Sequence, residues 1–198
     1  MKRWLSFFLV IIVLVILNAC GADNDEGSDS EDTSLSGKEN EGNTRDEVVP
    51  ISVELKNGEG EKVGTADLEQ QFSGVVIKIK ASNLSPGKHG FHIHEKGVCK
   101  EPDFKSAGDH FNPTDVSHGE EKDGPHAGDL PNLQVGEDGT VETEMTTDMV
   151  TLKSGEENSL IGSDGTTLII HEEADDHKSQ PSGDAGDRAA CGVISHGS

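Results

Sequence analysis

Tyrosine is absent and aromatic residues make up only 4% of the 198-residue chain. With 31% hydrophobic residues, this excludes a large aromatic core and suits one modest domain with long polar segments. Positive charge is scarce: 16 Lys and Arg against 38 Asp and Glu leave a formal charge of −22. That excludes a nucleic-acid binder working through a basic surface. Cysteine is scarce and odd in number, so at least one of the three stands outside any intrachain disulfide. The longest apolar run, Phe7 to Leu17, has eleven residues, short of the roughly 20 that a membrane-spanning helix needs. Glycine, by contrast, is abundant at 24 residues, which points to many turns.

Lys2 and Arg3 precede the apolar run and Leu17-Asn18-Ala19-Cys20 ends it, the layout of a signal peptide. A cysteine after a small residue at that place resembles a bacterial lipobox. The resemblance implies a signal over residues 1–19, cut before Cys20, and a diacylglycerol on the Cys20 thiol. A simple secretory signal with an incidental cysteine is the alternative. Gly21 to Glu47 hold ten acids, two bases and no aromatic residue. Such a stretch buries too little apolar surface to offset its ordering entropy. Residues 20–47 therefore read as a lipidated cysteine and a disordered acidic tether, with an acidic partner-binding tail as the other reading. The expected location is outside the cell, held to the bacterial membrane by the lipid. The domain over residues 48–198 keeps 28 acids and 12 bases, or −16.

From Val48 onward, short alternating or β-branched runs are punctuated by Gly, Asn, Asp and Pro. They are Val49 to Leu55, Gly64 to Leu68, Phe72 to Ala81, Gly90 to His94, Val141 to Met145, Met149 to Leu152, Thr166 to Ile170 and Cys191 to Ile194. About eight short strands without a helical period predict an antiparallel sandwich or barrel. Asp138-Gly139 and Asp164-Gly165 sit where turns can use the positive φ that glycine tolerates. Two intervals, Glu95 to Asn132 and His171 to Ala190, lack strand character; loops of that length inside a compact domain are usually functional or the sign of a wrong assignment, and the candidate ligands they hold favour function.

Six of the nine histidines lie between residues 92 and 171. His92 and His94 are two apart in a strand-like run, so both leave the same face of the sheet. His171, at the end of another apolar run, could join them, and three neutral imidazoles suit a transition metal such as copper(II). A pair of surface histidines is the plain alternative for His92 and His94. The first long interval supplies His110, His118, His126 and Asp129, three imidazoles and a carboxylate, the four donors of a closed tetrahedral zinc site. A hydrophilic loop with incidental histidines is the alternative there.

Taken together these segments closely resemble the copper/zinc superoxide dismutase family. Gly90-Phe91-His92-Ile93-His94-Glu95, Gly108-Asp109-His110-Phe111-Asn112-Pro113, His118-Gly119, His126-Ala127-Gly128-Asp129-Leu130 and His171-Glu172-Glu173-Ala174-Asp175-Asp176 match its ligand segments in order. Gly183 to Ile194 matches its C-terminal signature. The resemblance implies an eight-stranded antiparallel Greek-key β-barrel with two long functional loops, an architecture that the sandwich folds share. It implies copper on His92, His94, His110 and His171, and zinc on His110, His118, His126 and Asp129, with His110 bridging. It makes Asp175 the carboxylate that links His92 to His118, Cys99 and Cys191 a disulfide pair, Arg188 the residue that holds superoxide near copper, and His110 the residue that takes and returns a proton.

The sequence departs from the family in its charge. Glu172, Glu173, Asp175 and Asp176 crowd the second interval with only Lys178 and Arg188 to offset them, and Asp109 stands before the bridging histidine. Val98 also departs from the commonest residues at its place. His89, His177 and His196 match no ligand position and are expected to be solvated. An exported copper/zinc buffer or delivery protein without turnover is the competing function, and an anion-positioning arginine is what it has no need of.

Overall fold

The computed structural model describes residues 49–195, so the signal, Cys20, the acidic tether and His196 lie outside the described residues. Eight strands are present: β1 (Ile51–Asn57), β2 (Lys62–Gln71), β3 (Gly74–Ala81), β4 (Gly87–His94), β5 (Asp129–Val135), β6 (Val141–Thr147), β7 (Thr166–His171) and β8 (Arg188–Ile194). Among the described residues there is one 3-10 turn, Lys105–Ala107, and no α-helix. All pairings are antiparallel, in the order β5-β4-β7-β8-β1-β2-β3-β6. Neighbours distant in sequence, β4 with β7, β8 with β1 and β3 with β6, mark Greek-key crossovers. The end strands β5 and β6 approach each other, so the barrel is nearly closed.

Side-chain alternation explains the packing. In β1, Ile51, Val53 and Leu55 are buried while Ser52, Glu54 and Lys56 face solvent, as expected of a strand with one wet face. Their buried side chains join Leu68, Ile77, Ile79, Phe91, Leu133 and Leu168 in the barrel core. On β4 the pattern changes: six consecutive residues from His89 to His94 are buried. Phe91 and Ile93 enter the core, and His92 and His94 leave the other face, which the long loops cover. A second, smaller cluster of Phe104, Ala107, Ile169 and Cys191 seals the first loop onto β7 and β8. The Cys99–Cys191 disulfide crosses that cluster, with Cα atoms 5.8 Å apart at a sequence separation of 92.

Two strand expectations fail. Met149 to Leu152 is not a strand; Thr151 makes only an isolated bridge to Ser159. The side-chain oxygen of Gln70 accepts from the Leu152 N–H at 2.7 Å and the Thr151 hydroxyl at 2.8 Å, taking the place of a ladder partner. Its apolar residues Val150 and Leu152 still pack into the core, which is what made the run look like a strand. Conversely β5 begins inside the interval expected to be loop, which ended at Asn132, and runs past it to Val135. Pro131 and Asn132 dilute its strand signal, and proline is tolerated because β5 is an edge of the sheet. The run expected from Phe72 begins at Gly74, with Phe72 exposed in the β2–β3 turn. Gly139 and Gly165 do take positive φ, 74° and 66°.

Candidate metal centre

The residues of the site come from four places. β4 presents His92 and His94, β7 ends in His171, and β5 begins with Asp129. The loop of residues 95–128 brings His110, His118 and His126. That loop returns along β4 through backbone bonds: Phe111 N–H donates to Ile93 O at 2.8 Å, and Ile93 N–H to Gly128 O at 2.9 Å. His110 is thereby set opposite His94.

Two groups of donors result, sharing His110. In His92, His94, His110 and His171, and again in His110, His118, His126 and Asp129, the ligand atoms lie within 4.8 Å of one another. In the first group His92 Nδ1 and the Nε2 atoms of His94, His110 and His171 are buried with no hydrogen-bond partner. Leaving four buried ring nitrogens unsatisfied is costly, and a cation bound among them removes that cost. The opposite nitrogens are occupied. His92 Nε2 donates to Asp175 Oδ2 at 2.8 Å, His94 Nδ1 to Gly108 O at 2.9 Å and His171 Nδ1 to Gly186 O at 3.3 Å. These bonds fix the tautomers that leave the convergent nitrogens free as donors to a metal.

In the second group Nδ1 of His110, His118 and His126 stand 2.7, 3.0 and 3.2 Å from the Asp129 carboxylate. The His118 nitrogen is near but misaligned for a hydrogen bond. Asp129 Oδ2 also accepts from the backbone N–H of Gly119 and His126, each at 3.0 Å. Asp175 joins the two groups, accepting from His92 on Oδ2 and from His118 Nε2 on Oδ1 at 3.0 Å.

Electrostatics separates the groups. Burial, aided by the neighbouring imidazoles, pushes His92 down to about 4 and His171 to about 3, and holds His94 well below its usual range. All three stay neutral at pH 7, the form that binds metal. Burial also opposes charge on His118, but Asp129 and Asp175 on its two ring nitrogens outweigh it and lift the group to about 9. Burial lowers His126. Although burial works against them, Asp129 and Asp175 lie well below the usual carboxylate range: His110 donates to Asp129 with the His118 ring close beside it, and His118 and His92 donate to Asp175. Three ring nitrogens converge on the Asp129 carboxylate, His118 Nδ1 among them buried without a hydrogen bond, and such a donor set suits a cation, so the residues fit a metal in both groups.

The first group opens to solvent through a cavity of about 600 Å³ whose lining includes His94, His110, His171 and Arg188. Arg188 is half-buried at the start of β8, its guanidinium donating to Phe104 O and Gly108 O, each at 2.6 Å. The acids of the second loop do not crowd this mouth. Asp175 is buried against the histidines, whereas Glu95, Asp109 and Asp115 line the cavity.

Two residues of the site, Asn132 and Gln180, carried no signal in the motifs, and a third, Gly183, lay in a motif without a role assigned to it. Asn132 clamps the Asp175 backbone, donating to its carbonyl at 2.8 Å and accepting its N–H at 2.9 Å. Gln180 does the same for His118, with both bonds at 2.9 Å. Gly183, at φ 73°, passes so close to Asp175 Oδ1 and His118 Nε2 that a Cβ would overlap the carboxylate. The expectation that His89 is solvated is wrong: it is 2% exposed. Its Nδ1 lies 2.6 Å from His171 O and its Nε2 2.7 Å from Ser85 O. Its place two residues before the buried Phe91, in the same strand, is the signal that was overlooked. His177 is partly exposed and its Nε2 accepts from Asn132 at 3.2 Å.

Residues 62–194 match the family model of copper/zinc superoxide dismutase. A relative from Aquifex aeolicus named superoxide dismutase [Cu-Zn] 1 is 51% identical over 143 residues, 71% of this chain and 85% of its own. The crystal structure of a SOD-like protein from Bacillus subtilis matches with a TM-score of 0.70 at 45% identity, covering 72% of this chain and 97% of that one. The Cu/Zn superoxide dismutase of Brucella abortus matches with a TM-score of 0.60 at 31% identity, over 74% and 99%. By sequence, fold and donor set, the chain belongs to the copper/zinc superoxide dismutase family.

Proposed function

We propose that this protein dismutates superoxide, 2 O2⁻ + 2 H⁺ → O2 + H2O2, outside the cell while anchored to the membrane through Cys20. The observation that carries the reaction is a set of four unsatisfied imidazole nitrogens, three of whose rings line one cavity together with a fixed guanidinium. Copper in that set supplies a one-electron centre, and zinc in the closed set a fixed positive charge.

The chain's own residues then have separate tasks. His92, His94 and His171 stay neutral and hold their Nδ1, Nε2 and Nε2 atoms toward one point. His110 offers Nε2 to the first set and keeps Nδ1 on the Asp129 side. It can therefore take and return a proton at Nε2 without leaving its place. Asp175 holds His92 and His118 at a fixed mutual angle. Arg188, anchored by two carbonyls, presents its charge to a small anion entering the cavity. A metal buffer or delivery protein would use the histidines equally well but would gain nothing from Arg188.

The location rests on Lys2 and Arg3, the apolar run from Phe7 to Leu17 and the cysteine that follows it. Two or more acyl chains anchor a protein stably, whereas one binds only marginally. Assaying superoxide removal by the copper- and zinc-loaded protein tests the reaction, and copper and zinc retained without turnover would leave the buffer reading. Mass analysis of the mature N-terminus tests the anchor: acyl groups on Cys20 are expected, and an unmodified N-terminus elsewhere would refute it.

A further inference from the structure

Beyond the reaction itself, the rim of the cavity carries charge of the wrong sign for its substrate. Among the described residues lining the mouth, Arg188 is the one Lys or Arg, against the carboxylates of Glu95, Asp109 and Asp115. Glu95 is offset by Lys96, 3.1 Å away. Asp109 and Asp115 are exposed, and no described Lys or Arg lies within 4 Å of either carboxylate. Arg188 is drawn inward by Phe104 O and Gly108 O, and Asp109 directly follows Gly108 in the chain. An approaching anion thus meets two exposed carboxylates without a salt-bridge partner among the described residues, and Asp109 also offsets part of the Arg188 charge. The domain around them is strongly negative.

We infer that Asp109 and Asp115 oppose entry of superoxide, so that this enzyme is slowed by its own mouth and speeds up when salt screens it. The inference rests on the dismutase reading for its substrate, but the charge of the mouth can be read separately with an inert anion. Screening acts on exposed charges first, because the Debye length shrinks from about 30 Å at 10 mM salt to about 10 Å at 100 mM. A carboxylate about 10 Å from the metal, in water, opposes a monovalent anion by a factor of about two.

The test compares the metal-loaded protein with Asp109→Asn, Asp115→Asn and the control Glu137→Gln. Glu137 changes net charge equally but follows β5, which runs from Asp129 at the metal centre to Val135 at the far end of the barrel. Two readouts are used as a weakly coordinating salt goes from about 10 to about 100 mM: kcat/KM for superoxide, and the affinity for azide, a small monoanion, followed by copper absorption. The expected result is that both rise with salt in the unaltered protein. Each mouth variant should raise the low-salt values about twofold and flatten the slope, while Glu137→Gln leaves both alone. A fall of both with salt, or an equal effect of Glu137→Gln, would overturn the inference. Absence of turnover with both metals bound would defeat the dismutase reading, and the azide titration would still decide the charge of the mouth.

Discussion

At the scale of the residue, His110 and Asp175 do the joining. His110 belongs to both donor groups, and Asp175 ties a ring of one group to a ring of the other. Gly183 makes room for that carboxylate, so Gly183→Ala should push Asp175 aside and cost both metals affinity; metal analysis after dialysis against a chelator measures this. Arg188 acts by charge and by a fork held on two carbonyls. Arg188→Glu should lower kcat/KM by about tenfold or more, since a charge a few ångströms away turns from attraction to repulsion. Arg188→Lys, which keeps the charge and loses the fork, should lose less, and copper content should be unchanged in both.

The histidine shifts also set a pH dependence for the metal-free domain. His92 and His171 titrate near 4 and 3 when folded, against about 6.5 when unfolded, so the unfolded chain binds their protons at higher pH. Their contribution is full above about 6.5 and is lost as pH falls through about 4 to 3. His118 is shifted the other way, to about 9, so its contribution is full below about 6.5 and is lost as pH rises through about 9. Urea midpoints of the metal-free protein should therefore peak near pH 6.5 and fall on both sides. A midpoint that keeps rising up to pH 10 would contradict the charge assigned to His118.

At the scale of the element, the strands were legible where alternation was clean and illegible where a side chain replaced the ladder. β1, β4 and β7 could be read because Ile, Val, Leu and Phe recur every second residue or fill both faces. β5 could not, because an edge strand admits Pro131, and the run around Thr151 reads as a strand because Val150 and Leu152 enter the core, although Gln70 takes the place of its ladder partner. The candidate ligands were legible because a metal centre demands residue types and spacing that little else does. Their supports, Asn132 and Gln180, were not, since a polar side chain bonding a distant backbone leaves no local pattern. The two loops divide the chemistry. His118→Ala and Asp129→Ala should release zinc and loosen the first loop. His171→Ala should remove copper and leave zinc, because His171 belongs to the first group alone. Equal loss of both metals in all three variants would contradict separate groups.

At the scale of the whole molecule, what holds the covering loop to the barrel is one covalent link and one small apolar cluster. The loop closed by Cys99 and Cys191 spans 92 residues. Removing it restores about 4 to 5 kcal/mol of chain entropy to the unfolded state in the chain-entropy description. Cys191 is buried in the cluster with Phe104, Ala107 and Ile169 and Cys99 packs against it, so the loop segment that carries the Arg188 anchors Phe104 O and Gly108 O sits next to the link. Cys99→Ala combined with Cys191→Ala should lower the unfolding free energy by about that amount, measured by urea denaturation of the metal-loaded protein. It should also weaken azide binding at copper, because the guanidinium would lose its fixed seat. A stability loss with unchanged azide affinity would mean that the apolar cluster alone positions the loop, and that the disulfide acts only on the unfolded chain.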